Sequence, residues 1–83
     1  MIEVIRNRKK IAQIDEPIVD VQASPFVGLR IKTSTLDFEI ECIDEIGVKI
    51  RNVLDTIAEA SNKNTIIQID MDTGGVKLLP GSK

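Results

Sequence analysis

The chain has 83 residues, of which 42% are hydrophobic, and its 11 basic and 13 acidic residues give a net charge of −2. A chain of this length forms one domain, residues 1–83, with one small core. Its apolar fraction argues against disorder. With no histidine and a single cysteine, Cys42, the chain cannot form a Ser-His or Cys-His nucleophile pair, an ordinary zinc site or an internal disulfide. Because only carboxylates and lysines remain for proton transfer, we expect a protein that is not an enzyme and that holds no metal or cofactor.

Targeting signals are also absent from the sequence. No stretch approaches the roughly 18 apolar residues of a membrane span. The first residues lack the order of a signal peptide, in which charged residues precede an apolar segment. We therefore expect a cytoplasmic protein with no membrane partner.

The first element is a predicted hairpin, formed by Ile2 to Ile5 and Ile11 to Ile14. Its tip is basic, because four cations stand there against Glu3 alone; they are Arg6, Arg8, Lys9 and Lys10. Clustered cations can contact the phosphates of nucleic acid. Sheet proteins that bind single strands add aromatic platforms, and this chain has only two aromatic residues. We take a solubilising turn as the default interpretation of this tip and nucleic-acid contact as the alternative.

A second predicted hairpin is better defined, with strands over residues 27–33 and 36–42. Apolar and polar side chains alternate along both strands, as they do in strands with one buried face. In the favoured register Arg30 lies opposite Glu39 and Lys32 opposite Asp37, and a slip of one residue would set charges among apolar side chains. The connection has neither Gly nor Asn, so its turn type stays open. Before this hairpin, Ile18 to Val21 lies between two prolines and is an edge strand or a loop.

The apolar spacing changes to a helical period over residues 44–61. One face is apolar and consists of Ile46, Ile50, Val53, Leu54, Ile57, Ala58 and Ala60. Asp44 is a candidate N-cap, and Glu45 is placed to form an ion pair with Lys49 one turn later. Gly47 weakens the first turn, which leaves a start nearer Val48 as an alternative.

Thr65 to Met71 is predicted to be a further strand, and Val76 to Leu79 would pair with it and place Asp70 opposite Lys77. The connection contains Asp72-Thr73-Gly74, which resembles the active-site triplet of aspartic proteases. In that family most of the fold follows the aspartate, whereas only nine residues follow Gly74 here. We therefore interpret the triplet as part of a Gly-Gly turn.

Together these elements predict an α+β domain of order β-β-(β)-β-β-α-β-β. It would contain one small antiparallel sheet of about five to six strands, with one amphipathic helix packed on one face.

Two sets of residues are candidates for a partner surface. Four apolar residues fall out of phase with the inward-facing set and would form an exposed apolar patch; they are Ile5, Ile14, Ile66 and Leu79. The alternatives are a misjudged register and a sheet that curls into a partial barrel. Three carboxylates have no cation opposite them in the hairpin register; they are Glu41, Asp44 and Glu45. They are either a solvated face or an acidic surface that docks a basic partner or mimics nucleic-acid phosphates. From these sets we select Ile5, Ile66, Glu41, Asp44 and Glu45 as the candidate partner surface.

The resulting expectation is a non-enzymatic protein-binding module that acts as a homodimer and also contacts another protein. It would be a small regulator, adaptor or inhibitor of the kind that phages and other mobile elements encode. The alternative is a nucleic-acid-binding regulator that uses the basic hairpin Arg6 to Lys10.

Overall fold

The computed structural model describes residues 1–42, 44–61 and 63–81, and over these ranges it is an α+β domain of seven strands and two helices. The elements in chain order are β1 (Ile2–Arg6), β2 (Lys9–Ile14), β3 (Asp20–Ser24), β4 (Gly28–Lys32), β5 (Asp37–Ile40), α1 (Asp44–Arg51), α2 (Leu54–Ser61), β6 (Thr65–Asp70) and β7 (Val76–Pro80). The predicted class is confirmed. The predicted single sheet and single helix are corrected to two sheets and two helices.

The two ends of the chain form a four-stranded sheet of order β2-β1-β6-β7. β1 and β6 are parallel, and the outer pairs are antiparallel. The β1–β2 connection is a two-residue turn in which Asn7 and Arg8 have φ of 54° and 63°. Positive φ at both central residues is typical of type I′ turns, which match the twist of the strands they join.

The remaining strands form a three-stranded sheet of order β3-β4-β5, in which the predicted register of β4 with β5 is confirmed at all four pairs. Arg30 contacts two carboxylates on β5, Asp37 at 2.9 Å and Glu39 at 3.1 Å. The turn that lacks Gly and Asn is held by Glu16, whose carboxylate accepts hydrogen bonds from the hydroxyls of Thr33 and Thr35. These hydrogen bonds, first from Thr35 and then from Thr33, lower the pKa of Glu16 below its usual value.

The predicted long helix is interrupted at Asn52 and Val53. Both residue types have low helix propensity, and the Val53 N–H bonds three residues back to the Ile50 carbonyl at 3.1 Å. α1 packs on β3 and β4, whereas α2 packs on β3 and β6, so the helices connect the two sheets. The polar side chains Lys49, Asn52, Asp55, Thr56 and Glu59 are exposed, and α1 begins at Asp44 and not near Val48.

One hydrophobic cluster joins both sheets and both helices. Its buried members are Ile2, Val4, Ile14, Ala23, Leu29, Ile31, Ile46, Ile50, Ile57, Ala60, Ile67, Ile69 and Met71. Ile14 was predicted to face outward, and this was wrong because a bulge opposite Val4 and Ile5 shifts the phase of β2. Of the helices in the described ranges, neither combines the length and apolar character needed to cross a membrane.

The hairpin of β6 and β7 has a different register from the predicted one. Lys77 lies opposite Gln68, and the Asp70 N–H donates to the Gly75 carbonyl at 2.9 Å. Lys77 therefore does not face Asp70. The register is two residues away from the predicted one, so every side chain keeps its predicted face.

Candidate partner-binding surface

The two phenylalanines of the chain have contrasting environments. Phe38 on β5 is half-buried against the core, whereas Phe26, in the turn between β3 and β4, is 95% exposed. The Ser24 hydroxyl accepts hydrogen bonds from the N–H groups of Phe26 at 3.2 Å and Val27 at 3.1 Å. These bonds hold the turn with both apolar side chains outward, and Val27 is 55% exposed.

Helix α1 lies directly against this turn at Gly47. A Cβ atom placed on Gly47 would lie 2.7 Å from the carbonyl carbon of Ser24 and 2.9 Å from the nitrogen of Pro25. This close approach, which no other residue type would permit without a shift, puts the exposed Val48 beside Phe26. Helix and turn enclose a depression of about 660 Å³ lined by Pro25, Phe26, Asp44, Glu45, Val48 and Lys49. We call Pro25, Phe26, Val27 and Val48 the Phe26 surface.

Acidic side chains rim the Phe26 surface. Asp44 and Glu45 lie in the first turn of α1, where the positive end of the helix favours carboxylates, and both line the depression. The predicted ion pair of Glu45 with Lys49 is not formed, because the Lys49 amine points to the Thr73 carbonyl at 3.4 Å. Neither carboxylate has a hydrogen bond or ion pair with any residue that the structure describes.

Glu41 approaches the same turn from the side of β5. A Cβ atom placed on Gly28 would lie 3.2 Å from the Glu41 Cα, so Glu41 is adjacent to the residue that follows Val27. The Glu41 carbonyl accepts a hydrogen bond from Arg6 at 2.9 Å, and its own side chain is exposed. Three of the five predicted surface residues, Glu41, Asp44 and Glu45, are thus brought to one region.

The other two predicted residues, Ile5 and Ile66, lie elsewhere and apart from each other. Both are half-buried on the outward face of the four-stranded sheet, where Ile5 pairs with Asp70 and Ile66 pairs with Leu79. Along the strand direction Ile5 and Ile66 are four residue positions apart, which is about 13 Å. Between them the Gln68 amide donates to the Glu3 carboxylate at 2.9 Å. Ile5 and Ile66 therefore belong to no common apolar patch.

The basic cluster of the β1–β2 hairpin is partly occupied by intramolecular contacts. Arg6 bonds the Glu41 carbonyl, and Lys10 contacts the Glu3 carboxylate at 3.5 Å. The side chains of Arg8 and Lys9 are exposed and make no hydrogen bond or ion pair within the described ranges. Two of the four predicted cations are thus available to a partner.

Asp72 contributes to the structure of this hairpin. Its carboxylate accepts a hydrogen bond from the Asn7 N–H at 2.8 Å, which ties the β6–β7 turn to the β1–β2 turn. Gly74, with φ of +75°, lies against α1, where an added Cβ would be 3.3 Å from the Ile46 Cα. These contacts support the interpretation of the Asp-Thr-Gly triplet as a structural turn.

Metal-ligand clusters and the Cys42 thiol are the remaining features that bear on chemistry. Among them no three His, Cys, Asp or Glu side chains cluster as metal ligands would. Cys42 is half-buried, and burial raises the pKa of its thiol, which disfavours the reactive thiolate.

Sequence reasoning missed Phe26 because it lies outside every periodic segment. A signal was nevertheless present, since Pro25-Phe26-Val27-Gly28 puts two large apolar side chains in a turn, where polar residues are usual. The chain matches no protein-family model, and comparisons with curated proteins and with solved structures find no significant match.

Proposed function

We propose that the chain is a non-enzymatic protein-binding module that docks through the Phe26 surface. The partner is a protein segment with an apolar pocket or side-chain pair and with Lys or Arg beside it. The observation that carries the proposal is the 95% exposure of Phe26, one of only two aromatic residues, on a turn fixed by hydrogen bonds. Exposed aromatic residues surrounded by polar groups are typical of interaction sites.

The free energy available from this surface supports docking. Covering one aromatic side chain contributes about 2–4 kcal/mol. Association costs at least about 4 kcal/mol in lost freedom, so Phe26 alone is insufficient. Val27 at 55% and Val48 at 46% exposure supply further apolar area next to it. The turn is already ordered, which lowers the entropic cost of binding.

The acidic rim indicates the charge of the partner. Glu41, Asp44 and Glu45 have exposed side chains, and Lys49, the cation that lines the depression, directs its amine toward Thr73. Complementary charges at a rim raise the association rate and select among partners more than they add affinity. We therefore propose a basic partner segment, bound more weakly at high salt.

Nucleic-acid binding by the basic hairpin has less support. Arg8 and Lys9 are free, but Asp72 places a carboxylate at the same turn, and the exposed aromatic residue lies on a different turn. A regulator of this kind would show affinity that falls steeply with salt and depends on Arg8 and Lys9.

The proposal is tested with a displayed library of random 12-residue peptides selected against the wild-type chain. We expect the selected peptides to combine aromatic or aliphatic residues with Lys or Arg. Fluorescence anisotropy of a labelled selected peptide then gives affinities for variants. Phe26→Ala should weaken binding by about 30-fold, which corresponds to the roughly 2 kcal/mol of a central aromatic contact. Asp44→Asn with Glu45→Gln should weaken it less and reduce its salt dependence.

Two control variants make the same chemical changes away from the surface. Val19→Ala truncates another exposed apolar side chain, which is 72% exposed, and Asp55→Asn removes a carboxylate from α2. Both should bind the peptide like wild type. Peptides without basic residues, or binding that Phe26→Ala leaves unchanged, would contradict the proposal. Tight oligonucleotide binding that is lost in Arg8→Ala with Lys9→Ala would instead support the nucleic-acid alternative.

A further inference from the structure

One outer edge of the four-stranded sheet is formed by β7, and the hydrogen bonds at the two ends of its ladder with β6 show which of its backbone groups point outward. At one end of its ladder with β6, the Asp70 N–H donates to the Gly75 carbonyl at 2.9 Å. At the other end the Gly81 N–H donates to the Asn64 carbonyl at 3.0 Å. Antiparallel ladders alternate between bonded and non-bonded pairs. The backbone N–H and C=O groups that face β6 therefore belong to residues 75, 77, 79 and 81. The backbone groups of residues 76, 78 and 80 point away from the sheet.

The side chains of β7 are exposed on both faces of this edge. Leu78 is 48% exposed and Leu79 is 37% exposed. The opposite edge has more of the features that discourage pairing with another strand, since β2 begins with Lys9 and Lys10 and contains a bulge, whereas β7 has one lysine, Lys77, and ends in Pro80. β7 is thus the more open edge of the four-stranded sheet.

We propose that β7 pairs antiparallel with β7 of a second copy of this chain, about a two-fold axis at Leu78. In this register Leu78 and the partner's Leu78 exchange two N–H···O=C hydrogen bonds. The Val76 N–H donates to the carbonyl of the partner's Pro80, and the symmetric bond forms as well. Pro80 has no N–H, so each pair of Val76 with the partner's Pro80 forms one hydrogen bond where an ordinary bonded pair forms two, and the Val76 carbonyl accepts none across the interface. The two sheets become one sheet across the dimer.

Other two-fold registers fit this edge less well. If the two-fold axis lay at Leu79 or Lys77, the two β7 strands would have to pair through backbone N–H and C=O groups that already bond to β6. A Lys77 centre would also place two ammonium groups opposite each other, which is destabilising. The centre at Leu78 instead sets Lys77 beside the partner's Leu79. A Pro80 centre would oppose two residues that have no N–H, and a Val76 centre would pair Leu78 with the partner's Gly74, which lies in the turn at positive φ. Among the outward-facing residues, Leu78 is therefore the centre at which the edge matches itself best.

The surroundings of Leu78 do not oppose this contact. Leu78 borders a depression of about 290 Å³ with α2, lined by Thr56, Glu59, Ala60, Lys63, Thr65 and Leu78. Its rim carries one acid and one base, Glu59 and Lys63, which are ion-paired at 3.5 Å. An identical surface therefore meets no net charge there. This dimer does not rest on the Phe26 surface, which lies on the other sheet and on α1.

Amide hydrogen exchange by NMR, combined with light scattering, tests the pairing. At roughly 100 µM we expect about twice the 9.2 kDa chain mass and protection of the Leu78 and Val76 amides. On dilution to roughly 1 µM these two amides should lose protection, whereas those of Lys77 and Leu79, which bond to β6, should keep it.

The test variant is Leu78→Lys, which sets two ammonium groups at the axis and should raise the dimer dissociation constant at least 10-fold. Leu36→Lys is the matched control, because Leu36 is 39% exposed in the β4–β5 turn, and it should leave the dimer unchanged. Because both sites are exposed, both variants should keep the wild-type melting curve at roughly 1 µM, where the chain is expected to be monomeric. A monomer at roughly 100 µM, or a dimer that Leu78→Lys does not weaken, would overturn the proposal.

Discussion

Gly47→Ala is the perturbation that most sharply separates helix propensity from the packing seen in the structure. On propensity alone, alanine in the first half of α1 should stabilise the chain by about 1 kcal/mol. In the structure the new methyl carbon would lie 2.7 Å from the Ser24 carbonyl carbon and 2.9 Å from the Pro25 nitrogen. Both are backbone atoms, which cannot rotate away as a flexible side chain would.

The size of the effect follows from these two opposed contributions. Overpacking costs about 1–3 kcal/mol, and contacts with backbone belong at the upper end. Subtracting the gain in propensity leaves a net loss of about 2 kcal/mol. For a domain of this size the loss lowers the melting temperature by about 8–16 °C. Circular dichroism of thermal unfolding measures this change directly.

A control for Gly47→Ala is Thr56→Ala, which raises helix propensity at an exposed position of α2. It should raise the melting temperature slightly. A Gly47→Ala variant that melts at or above wild type would refute the close packing of α1 on the β3–β4 turn. The shape of the Phe26 surface would then lose its structural basis.

Further predictions concern the phenylalanines, acid sensitivity and the Asp-Thr-Gly turn. Phe38→Ala should lower the free energy of unfolding in urea by about 2–3 kcal/mol, which is less than for a fully buried aromatic residue. Phe26→Ala should change it by less than about 0.5 kcal/mol. Equal losses in the two variants would contradict the different environments of the two phenylalanines. Because the folded-state pKa of Glu16 is lowered, its stabilising contribution is present above the unfolded pKa and lost as pH falls through the folded one. The stability difference between Glu16→Gln and wild type should therefore shrink between pH 7 and about pH 3, and a constant difference in melts across that range would contradict it. Asp72→Asn should cost at most about 1 kcal/mol in urea unfolding, since its amide oxygen can still accept the Asn7 N–H.

The hairpin of β4 and β5 shows how much of the structure could be predicted from the sequence. Its alternation identified the buried face, and its facing charges selected one register, which the structure confirms. In the β6–β7 hairpin the predicted register was wrong by two residues. A shift of two leaves every side chain on its face, so the apolar pattern cannot distinguish such registers. The structure determines the register through the hydrogen bond from the Asp70 N–H to the Gly75 carbonyl and the pairing of Gln68 with Lys77.

The division into two sheets could not be predicted from alternation. Alternation shows which face of a strand is buried but does not identify the neighbouring strand. The parallel pair of β1 and β6 joins residues about 65 positions apart in sequence, and no local pattern marks such a contact. The helix break had a local cause in Asn52 and Val53, but the apolar period continues across it and hid it.

The candidate surface was only partly predictable for a related reason. Asp44 and Glu45 could be selected because neither has a cation opposite it in the predicted hairpin register, although the ion pair predicted between Glu45 and Lys49 is not formed. Phe26 could not, since its position beside α1 depends on the contact of Gly47 with a turn distant in sequence.

Docking through the Phe26 surface can be tested directly by mapping amide chemical shifts of the labelled chain with a selected basic peptide. The largest changes should fall on Phe26, Val27 and Val48, with smaller changes at Asp44 and Glu45. Phe26→Ala should abolish these changes without altering the rest of the spectrum. Changes centred on Arg8 and Lys9, or spread over the sheet without Phe26, would contradict the claim that this chain binds its partner through the Phe26 surface.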